Sequence, residues 1–150
     1  MYHRIVRSRI SSIFDALGRG DLDYAASGMA SRFDHIFAGD HSLGGRRHTM
    51  KAFRPWLERL IRVLPGLHFE IKKIAVSGLP WDTTVVVEWR DFATLAGGVP
   101  YVNDGVHVIG LRWGKVVSLH AYLDTQVLID ALNIMGASGE PEAIAPPIED

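Results

Sequence analysis

Hydrophobic and polar residues alternate from Tyr101 to Asp124, on both sides of a turn centred on Gly114. This period of two indicates strands with one packed and one wetter face, and glycine accepts the positive φ that a short hairpin loop requires. The stretch therefore predicts a long β-hairpin around which the fold is built. The inward row of this hairpin contains Asn103, His107, Ile109, Leu111, Leu119, Ala121 and Leu123.

The rest of the pattern predicts three helices before the long strands and one helix after them. Hydrophobic residues three and four positions apart predict helices over residues 3–17, 22–29, 49–64 and 125–135. Pro55 lies inside the third pattern and should kink or split that helix, because proline has no backbone N–H. Alternation predicts a short strand over residues 32–38 and long strands over 67–76 and 82–95, whereas the glycine-rich residues 39–47 predict a loop.

This order of elements predicts an α+β fold. Successive strands joined by short turns pair antiparallel, and helices kept to one face leave the other side of the layer open. We expect a cone-shaped α+β barrel, in which a strongly curved mixed or antiparallel sheet wraps around three N-terminal helices and is followed by a C-terminal helix. The domain should span residues 1–135, because residues 136–150 are small, acidic and proline-containing and predict a flexible tail.

The composition is that of an ordinary globular domain and excludes several classes of function. Hydrophobic residues make up 47% and charged residues 22% of 150 residues, and a net charge of -1 without a basic stripe argues against nucleic acid as a partner. The absence of cysteine excludes disulfides, thiolate catalysis and cysteine-ligated zinc. No apolar run could span a bilayer and no signal-peptide pattern is visible, so we expect a cytoplasmic protein with no membrane partner.

Three ionisable residues fall on inward rows of the predicted strands. Asp91 ends an otherwise apolar row, where its carboxylate could act as an acid or base, orient a histidine, or simply bond a nearby loop amide. His107 could donate a hydrogen bond to a developing oxyanion, or it could be a satisfied core histidine. His35, between Phe33 and Phe37 on one face, is the best candidate for a general base, although it could also line an empty cavity.

The cavity enclosed by these rows should be largely apolar. We expect it to be lined by Phe14, Phe33, Phe37, Phe53, Trp56, Trp89, Asn103, Ile109, Leu119, Ala121 and Leu123. A metal site formed by His35, Asp40 and His41 is conceivable, but the spacing that would fix such ligands on one helical face is absent. No glycine loop that could cradle a phosphate is present either. We therefore expect neither a metal nor a cofactor.

Residues 4–134 resemble the SnoaL-like and ketosteroid isomerase-like branch of the nuclear-transport-factor-2-like superfamily. The resemblance rests on the order of the elements, on the entry into the third helix around residues 45–53, and on the closing hairpin GKVVSLHAYLD. It implies a small hydrophobic ligand and a homodimer formed through the outer sheet face. The residues that would form this face are Val86, Val106, Val108, His120 and Tyr122.

The match to the catalytic residues of these relatives is incomplete. His35 falls where the isomerases keep their general base, and His107 falls where they keep the protonated acid of the oxyanion hole. Ile13 occupies the position of their oxyanion-hole tyrosine. Asp91 matches a catalytic aspartate of the limonene-epoxide-hydrolase branch, but Trp89 stands in place of its arginine partner. The resemblance therefore implies neither steroid isomerisation nor epoxide hydrolysis of the usual type.

Two hypotheses follow from the sequence. In the first, His35 removes a proton next to a carbonyl group of a hydrophobic ligand and His107, oriented by Asp91, stabilises the enolate, in an isomerase, aldol cyclase or dehydratase reaction that needs no cofactor. In the second, the chain is a ligand-binding or dimerisation module without chemistry. An open pocket in which His35 faces a His107–Asp91 pair favours the first hypothesis, and an interior packed solid by Trp89, Trp56 and Phe53 favours the second.

Overall fold

The computed structural model describes residues 1–150 and contains four α-helices and six β-strands. In chain order these are α1 (Tyr2–Gly18), α2 (Leu22–Ala26), β1 (Met29–Phe37), β2 (Gly45–Arg47), α3 (Met50–Val63), β3 (His68–Leu79), β4 (Asp82–Thr94), β5 (Pro100–Arg112), β6 (Lys115–Leu123) and α4 (Thr125–Ala137). Short 3₁₀ turns occupy Ala96–Gly98 and Pro141–Ile144.

The six strands form one mixed sheet in the order β2-β1-β6-β5-β4-β3. Strands β1 and β6 are parallel, and every other pair is antiparallel. The β5–β6 hairpin therefore lies at the centre of the sheet, and its turn has positive φ at both Trp113 and Gly114. This curved sheet with its helices confirms the predicted α+β cone fold.

Two hydrophobic clusters fill the concave side of the sheet. The larger one packs α3 and α4 against the β1 side, around side chains such as Phe53, Trp56 and Leu128. The smaller one packs α1 against β4, β5 and β6, around Phe14 and Trp89. The helical faces predicted from spacings of three and four are the faces that contact the sheet, because only they bury apolar area continuously.

Three local features differ from the sequence prediction. Residues 45–47 form β2 rather than a loop, because a strand of three residues is too short to produce a visible alternation and is held by its pairing with β1. Helix α2 ends at Ala26, so that Met29 begins β1 instead of ending a helix. Helix α3 runs without a break through Pro55, whose missing N–H leaves only the carbonyl of the exposed Lys51 without a helical partner.

The tail, residues 136–150, packs on the domain instead of extending away from it. Helix α4 continues to Ala137, and Ala143 is 3% exposed within the larger hydrophobic cluster. The last residues run beside β2, where the backbone N–H of Arg46 donates to Glu149 and that of His48 donates to Asp150. These contacts differ from the expected flexible tail. They join segments about a hundred residues apart, and local composition carries no information about such contacts.

Candidate active site

A cavity lies between α1, α3 and the concave face of the sheet, and 21 of its 25 lining residues are hydrophobic. The lining includes eight of the expected wall residues, namely Phe14, Phe37, Phe53, Trp56, Trp89, Ile109, Leu119 and Leu123. His35, Asp91 and His107 also line it. The parity of three separate strands therefore brings the three ionisable side chains to one cavity.

Three expected wall residues do not line the cavity. Phe33 packs against Phe53 with ring centroids 5.3 Å apart, and Ala121 is fully buried in the core. The amide of Asn103 donates to the hydroxyl of Tyr101 and to the backbone carbonyl of Asp124, both at 3.0 Å. Asn103 is thus fully occupied in joining β5 to the start of α4.

His35 is buried, and its tautomer is fixed by a neighbour. Nε of Arg47 donates to Nδ1 of His35 at 2.8 Å, across the β1–β2 pair in which the two residues face each other. A guanidinium can only donate, so Nδ1 must accept and the proton of the neutral ring must sit on Nε2. Nε2 is buried without a hydrogen-bond partner. Burial first, and then the charge of Arg47, hold the pKa of His35 well below its usual value.

His107 is held in the same tautomer by a different donor. Nε1 of Trp89, an obligate donor, bonds Nδ1 of His107 at 2.7 Å from the adjacent strand. The ring of Phe14 packs on it edge-to-face at 5.2 Å. Burial lowers the pKa of His107 to about 4. The ring is therefore neutral at pH 7 and carries its proton on Nε2.

Asp91 is the one acidic side chain of the cavity. It is 4% exposed, and its Oδ1 is buried without a hydrogen-bond partner. Burial raises the pKa of Asp91 to about 7, against a smaller opposing effect of its own backbone N–H. The charge of Asp91 in turn contributes, after burial, to raising the pKa of Tyr101. A carboxyl group that changes its charge near neutral pH fits proton transfer.

Asp91 and His107 do not form the pair that the sequence suggested. In the β4–β5 register Asp91 faces Asn103, whereas His107 faces Val87. The two residues are therefore offset by four positions along adjacent strands and form no hydrogen bond with each other. Trp89 takes the orienting role, since its indole holds the ring nitrogen that Asp91 was expected to hold.

Sequence reasoning missed Arg47 and Tyr101. Arg47 was assigned to a loop, although it is fully buried and pairs with β1. Tyr101 starts the inward row of β5 and lines the cavity beside Asp91. The inward parity of the hairpin could have identified Tyr101, but no local pattern identifies Arg47.

The outer face of the sheet has the predicted members. Val86 faces Val108 and Val106 faces Tyr122 across their strand pairs, and Tyr122 is 45% exposed. His120 lies 3.1 Å from a carboxylate oxygen of Asp34. A dimer interface on this face stays a prediction.

The structure shows neither a cluster of metal ligands nor a membrane-spanning helix. No group of three or more histidine, aspartate or glutamate side chains is arranged so that it could hold a metal ion. None of the helices has the length and apolar character needed to cross a membrane.

Comparison with known proteins identifies the family. The SnoaL-like domain matches residues 10–119, whereas no curated protein matches the chain. TerC, crystallised with polyporic acid, is 20% identical with a TM-score of 0.71, covering 83% of this chain and 95% of its own. An NTF2-like protein of unknown function from Burkholderia pseudomallei K96243 is 17% identical with a TM-score of 0.72, covering 86% of this chain and 95% of its own.

A further solved structure has a ketosteroid isomerase-like fold. This protein from Catenulispora acidiphila DSM 44928, in complex with trimethylamine, is 16% identical with a TM-score of 0.69, covering 92% of this chain and 97% of its own. At these identities the solved structures establish a common fold and nothing finer. The match over residues 10–119 covers well over half of the chain, and the chain therefore belongs to the SnoaL-like domain family.

Proposed function

We propose that this chain is an enzyme that moves a proton next to a carbonyl group of a small hydrophobic ligand without a cofactor. Asp91 is the general base, and His35 and His107 donate hydrogen bonds from Nε2 to the oxygen that becomes negative. This assignment differs from the sequence hypothesis, in which His35 was the base and Asp91 oriented His107. The observation that carries it is the fixed tautomer of both rings, because Nδ1 of each accepts from a group that can only donate.

A neutral histidine whose Nδ1 accepts a hydrogen bond and whose Nε2 carries the proton is a poor base and a good hydrogen-bond donor. Nδ1 of His35 is occupied by Arg47, and Nε2 already holds a proton, so the neutral ring has no free lone pair for a substrate proton. A donated hydrogen bond from a guanidinium also polarises the ring and strengthens the Nε2–H group as a donor. Fixed donors in a water-poor cavity stabilise a developing oxyanion without reorganisation.

Asp91 has the opposite properties. Its Oδ1 has no partner, and with a pKa of about 7 it is partly ionised at neutral pH and basic enough to accept a proton from carbon. In the proposed step, the C–H bond next to the carbonyl breaks, the proton goes to Oδ1, and the electron pair moves to the carbonyl oxygen. The enolate then takes the proton back from Asp91 at another carbon, attacks a second carbonyl whose oxygen receives that proton, or expels a hydroxyl group that leaves as water with that proton.

The ligand class follows from the lining of the cavity. Its walls are mainly aliphatic and aromatic. Asp91 is its acidic lining residue, and the two histidines are its basic ones, which stay neutral at pH 7 because their pKa values are lowered. A ligand with a flat apolar body and one or two carbonyl groups matches this set of contacts. TerC, a protein of the same fold, was co-crystallised with polyporic acid, which is a compound of this kind.

A second function is favoured by one observation. Ile13 lines the cavity at the position where related isomerases carry a tyrosine, so one donor of their oxyanion hole has no counterpart here. In this second function, the chain binds a ligand of the same class and does not transform it.

Hydrogen–deuterium exchange tests the proposal without knowledge of the natural substrate. We expect the chain to catalyse exchange of the acidic C–H protons of 2-tetralone, a bicyclic ketone, in D₂O, followed by proton NMR. Asp91→Asn should lower the rate by about 10²-fold or more, and His35→Gln or His107→Gln by about 10²–10³-fold. Asp130→Asn, which removes an exposed carboxylate that does not line the cavity, is the matched control.

The pH dependence separates the two possible bases. If Asp91 is the base, kcat/KM rises with pH and levels off above a midpoint near 7, where the carboxyl loses its proton. If His35 were the base, the midpoint would lie well below 6.5. Saturable binding of 2-tetralone with no exchange above the uncatalysed rate would reject the enzyme and support the binding module.

A further inference from the structure

Arg47, the partner of His35, is a fully buried cation with an unusual set of contacts. Besides Nδ1 of His35, its guanidinium donates to the carbonyl oxygens of Gly44 at 2.9 Å and Gly45 at 3.1 Å. Its shortest hydrogen bond, 2.6 Å, goes to the carbonyl oxygen of Ile148 in the tail. No carboxylate touches it directly, so its charge depends on these neutral acceptors and on more distant anions.

The tail supplies those anions. Burial lowers the pKa of Arg47 to about 10, and the charges of Glu149 and Asp150 oppose that effect, whereas the charge of Arg59 adds to it. Two adjacent tail carboxylates therefore favour the protonated guanidinium at this place. Without them, a buried cation next to a second arginine would gain by moving toward water.

The tail is fastened along β2 by several independent bonds. The backbone N–H of Arg46 donates to Glu149, and the backbone N–H of His48 and the hydroxyl of Thr49 donate to Asp150. Gly45 permits this close approach, since a Cβ there would lie 2.8 Å from the carboxyl carbon of Glu149. Thr49 stands at the N-cap of α3 but gives its hydroxyl to the tail instead of capping the helix.

A second buried arginine uses the tail in the same way. Nη1 of Arg59 donates to the carbonyl oxygens of Ser42 at 2.9 Å and Pro146 at 2.8 Å. Residues 146–150 thus close the loop before β2 and the first turn of α3 with carbonyl groups as well as carboxylates.

We propose that residues 146–150 are a positioning segment of the active site: they hold Arg47 against Nδ1 of His35 and thereby keep His35 as an Nε2–H donor toward the cavity. The effect of this tautomer on catalysis rests on the proposed function, whereas the tautomer itself does not depend on any activity. None of residues 146–150 lines the cavity. It acts through Arg47, which also lies over the ring of Trp56 at 5.0 Å.

Nitrogen-15 NMR of the histidine rings tests this directly. Long-range ring correlations distinguish a protonated from an unprotonated Nδ1, and His35→Gln identifies the His35 signal among the seven histidines. In the full chain we expect His35 to be protonated at Nε2 only. In a chain ending at Ala145, and in the double variant Glu149→Gln/Asp150→Asn, we expect the ratio of the two tautomers to shift by about tenfold toward Nδ1–H, because a charge-assisted hydrogen bond is lost.

Arg47→Met provides the upper limit of this effect, because it removes the donor and keeps an apolar stem. Asp130→Asn, which removes an exposed carboxylate of α4, is the matched control and should leave the tautomer unchanged. If the chain ending at Ala145 does not fold, the double variant still answers the question, since it leaves every backbone contact of the tail available.

The NMR experiment distinguishes failure of the tail's positioning role from failure of the proposed enzymatic function. An unchanged His35 tautomer in the double variant and in the shortened chain would overturn the role of the tail, whatever the activity of the protein. A shifted tautomer together with an absence of deuterium exchange in the full chain would support the positioning segment and reject the enzyme. If the tail positions His35 and the chain is an enzyme, kcat for exchange should be lower in the double variant, whereas KM for 2-tetralone should change little. The variant disturbs the hydrogen-bond donor and not the apolar wall.

Discussion

Replacing Asp91 with asparagine should make the protein more stable while removing the proposed base. The carboxyl group is buried with an unpartnered oxygen, so its ionised form is poorly solvated in the folded state. Asparagine has nearly the same shape and cannot ionise. The substitution therefore isolates the free energy of the charge from that of packing.

The magnitude follows from the pKa of Asp91. It lies at about 7 in the folded protein, against 3.8 for an unperturbed aspartate. Between those two values the folded state keeps a proton that the unfolded state has lost, so the free energy of unfolding falls as pH rises. One pKa unit corresponds to 1.36 kcal/mol, and the loss is therefore about 4 kcal/mol once the pH exceeds 7.

Urea unfolding followed by tryptophan fluorescence measures this effect, since the chain has four tryptophans. We expect Asp91→Asn to match the wild type within about 1 kcal/mol near pH 4 and to exceed its free energy of unfolding by about 4 kcal/mol at pH 8. Comparing the two proteins at each pH cancels the titration of the histidines, which both contain. The exposed Asp130→Asn should differ from the wild type by less than about 0.5 kcal/mol at either pH.

Equal stability of Asp91→Asn and the wild type at both pH values would refute the reasoning. It would mean that the carboxylate is well solvated when ionised, and its pKa would then be too low for the proposed proton transfer. A gain of stability accompanied by loss of deuterium exchange would identify Asp91 as a residue kept for function at the expense of stability.

Two further substitutions test the other side of the cavity. Burial lowers the pKa of His107 to about 4 in the folded protein, against 6.5 for an unperturbed histidine, so the free energy of unfolding falls as pH drops from 6.5 to 4. His107→Gln should flatten that part of a curve of Tm against pH. An unchanged curve would mean that folding does not lower the pKa of His107. Gly105→Ala would put a Cβ 2.6 Å from Cζ2 of Trp89 and 2.8 Å from the carbonyl oxygen of Tyr122, so it should lower the free energy of unfolding by about 1–3 kcal/mol and release His107 from the indole. For Gly105→Ala, urea unfolding measures the loss of stability, and the nitrogen-15 signal of His107 reports its release from the indole. A native His107 tautomer in this variant would contradict the predicted release.

The sequence by itself determined the longer elements and the direction of their side chains. Alternation along a strand is a local property, because successive side chains point to opposite faces whatever the partner strand is. His35, Asp91 and His107 could therefore be assigned to the inner face before any pairing was known, and all three do line the cavity. The element order likewise predicted the α+β cone, since helices can bury their apolar faces only against the concave side of the sheet.

The tertiary structure alone decided what each inward group can do. The donors that fix the two rings come from other strands, as Arg47 does for His35 and Trp89 does for His107, and a shift of register by two residues would have given each ring another neighbour with the same parity. The contact of Arg47 with Ile148 joins residues 101 positions apart, which no local period can indicate. Hydrogen bonds select a tautomer through specific atoms within about 3 Å, whereas hydrophobic patterning selects only a face, and this difference in range separates what could be predicted from what could not.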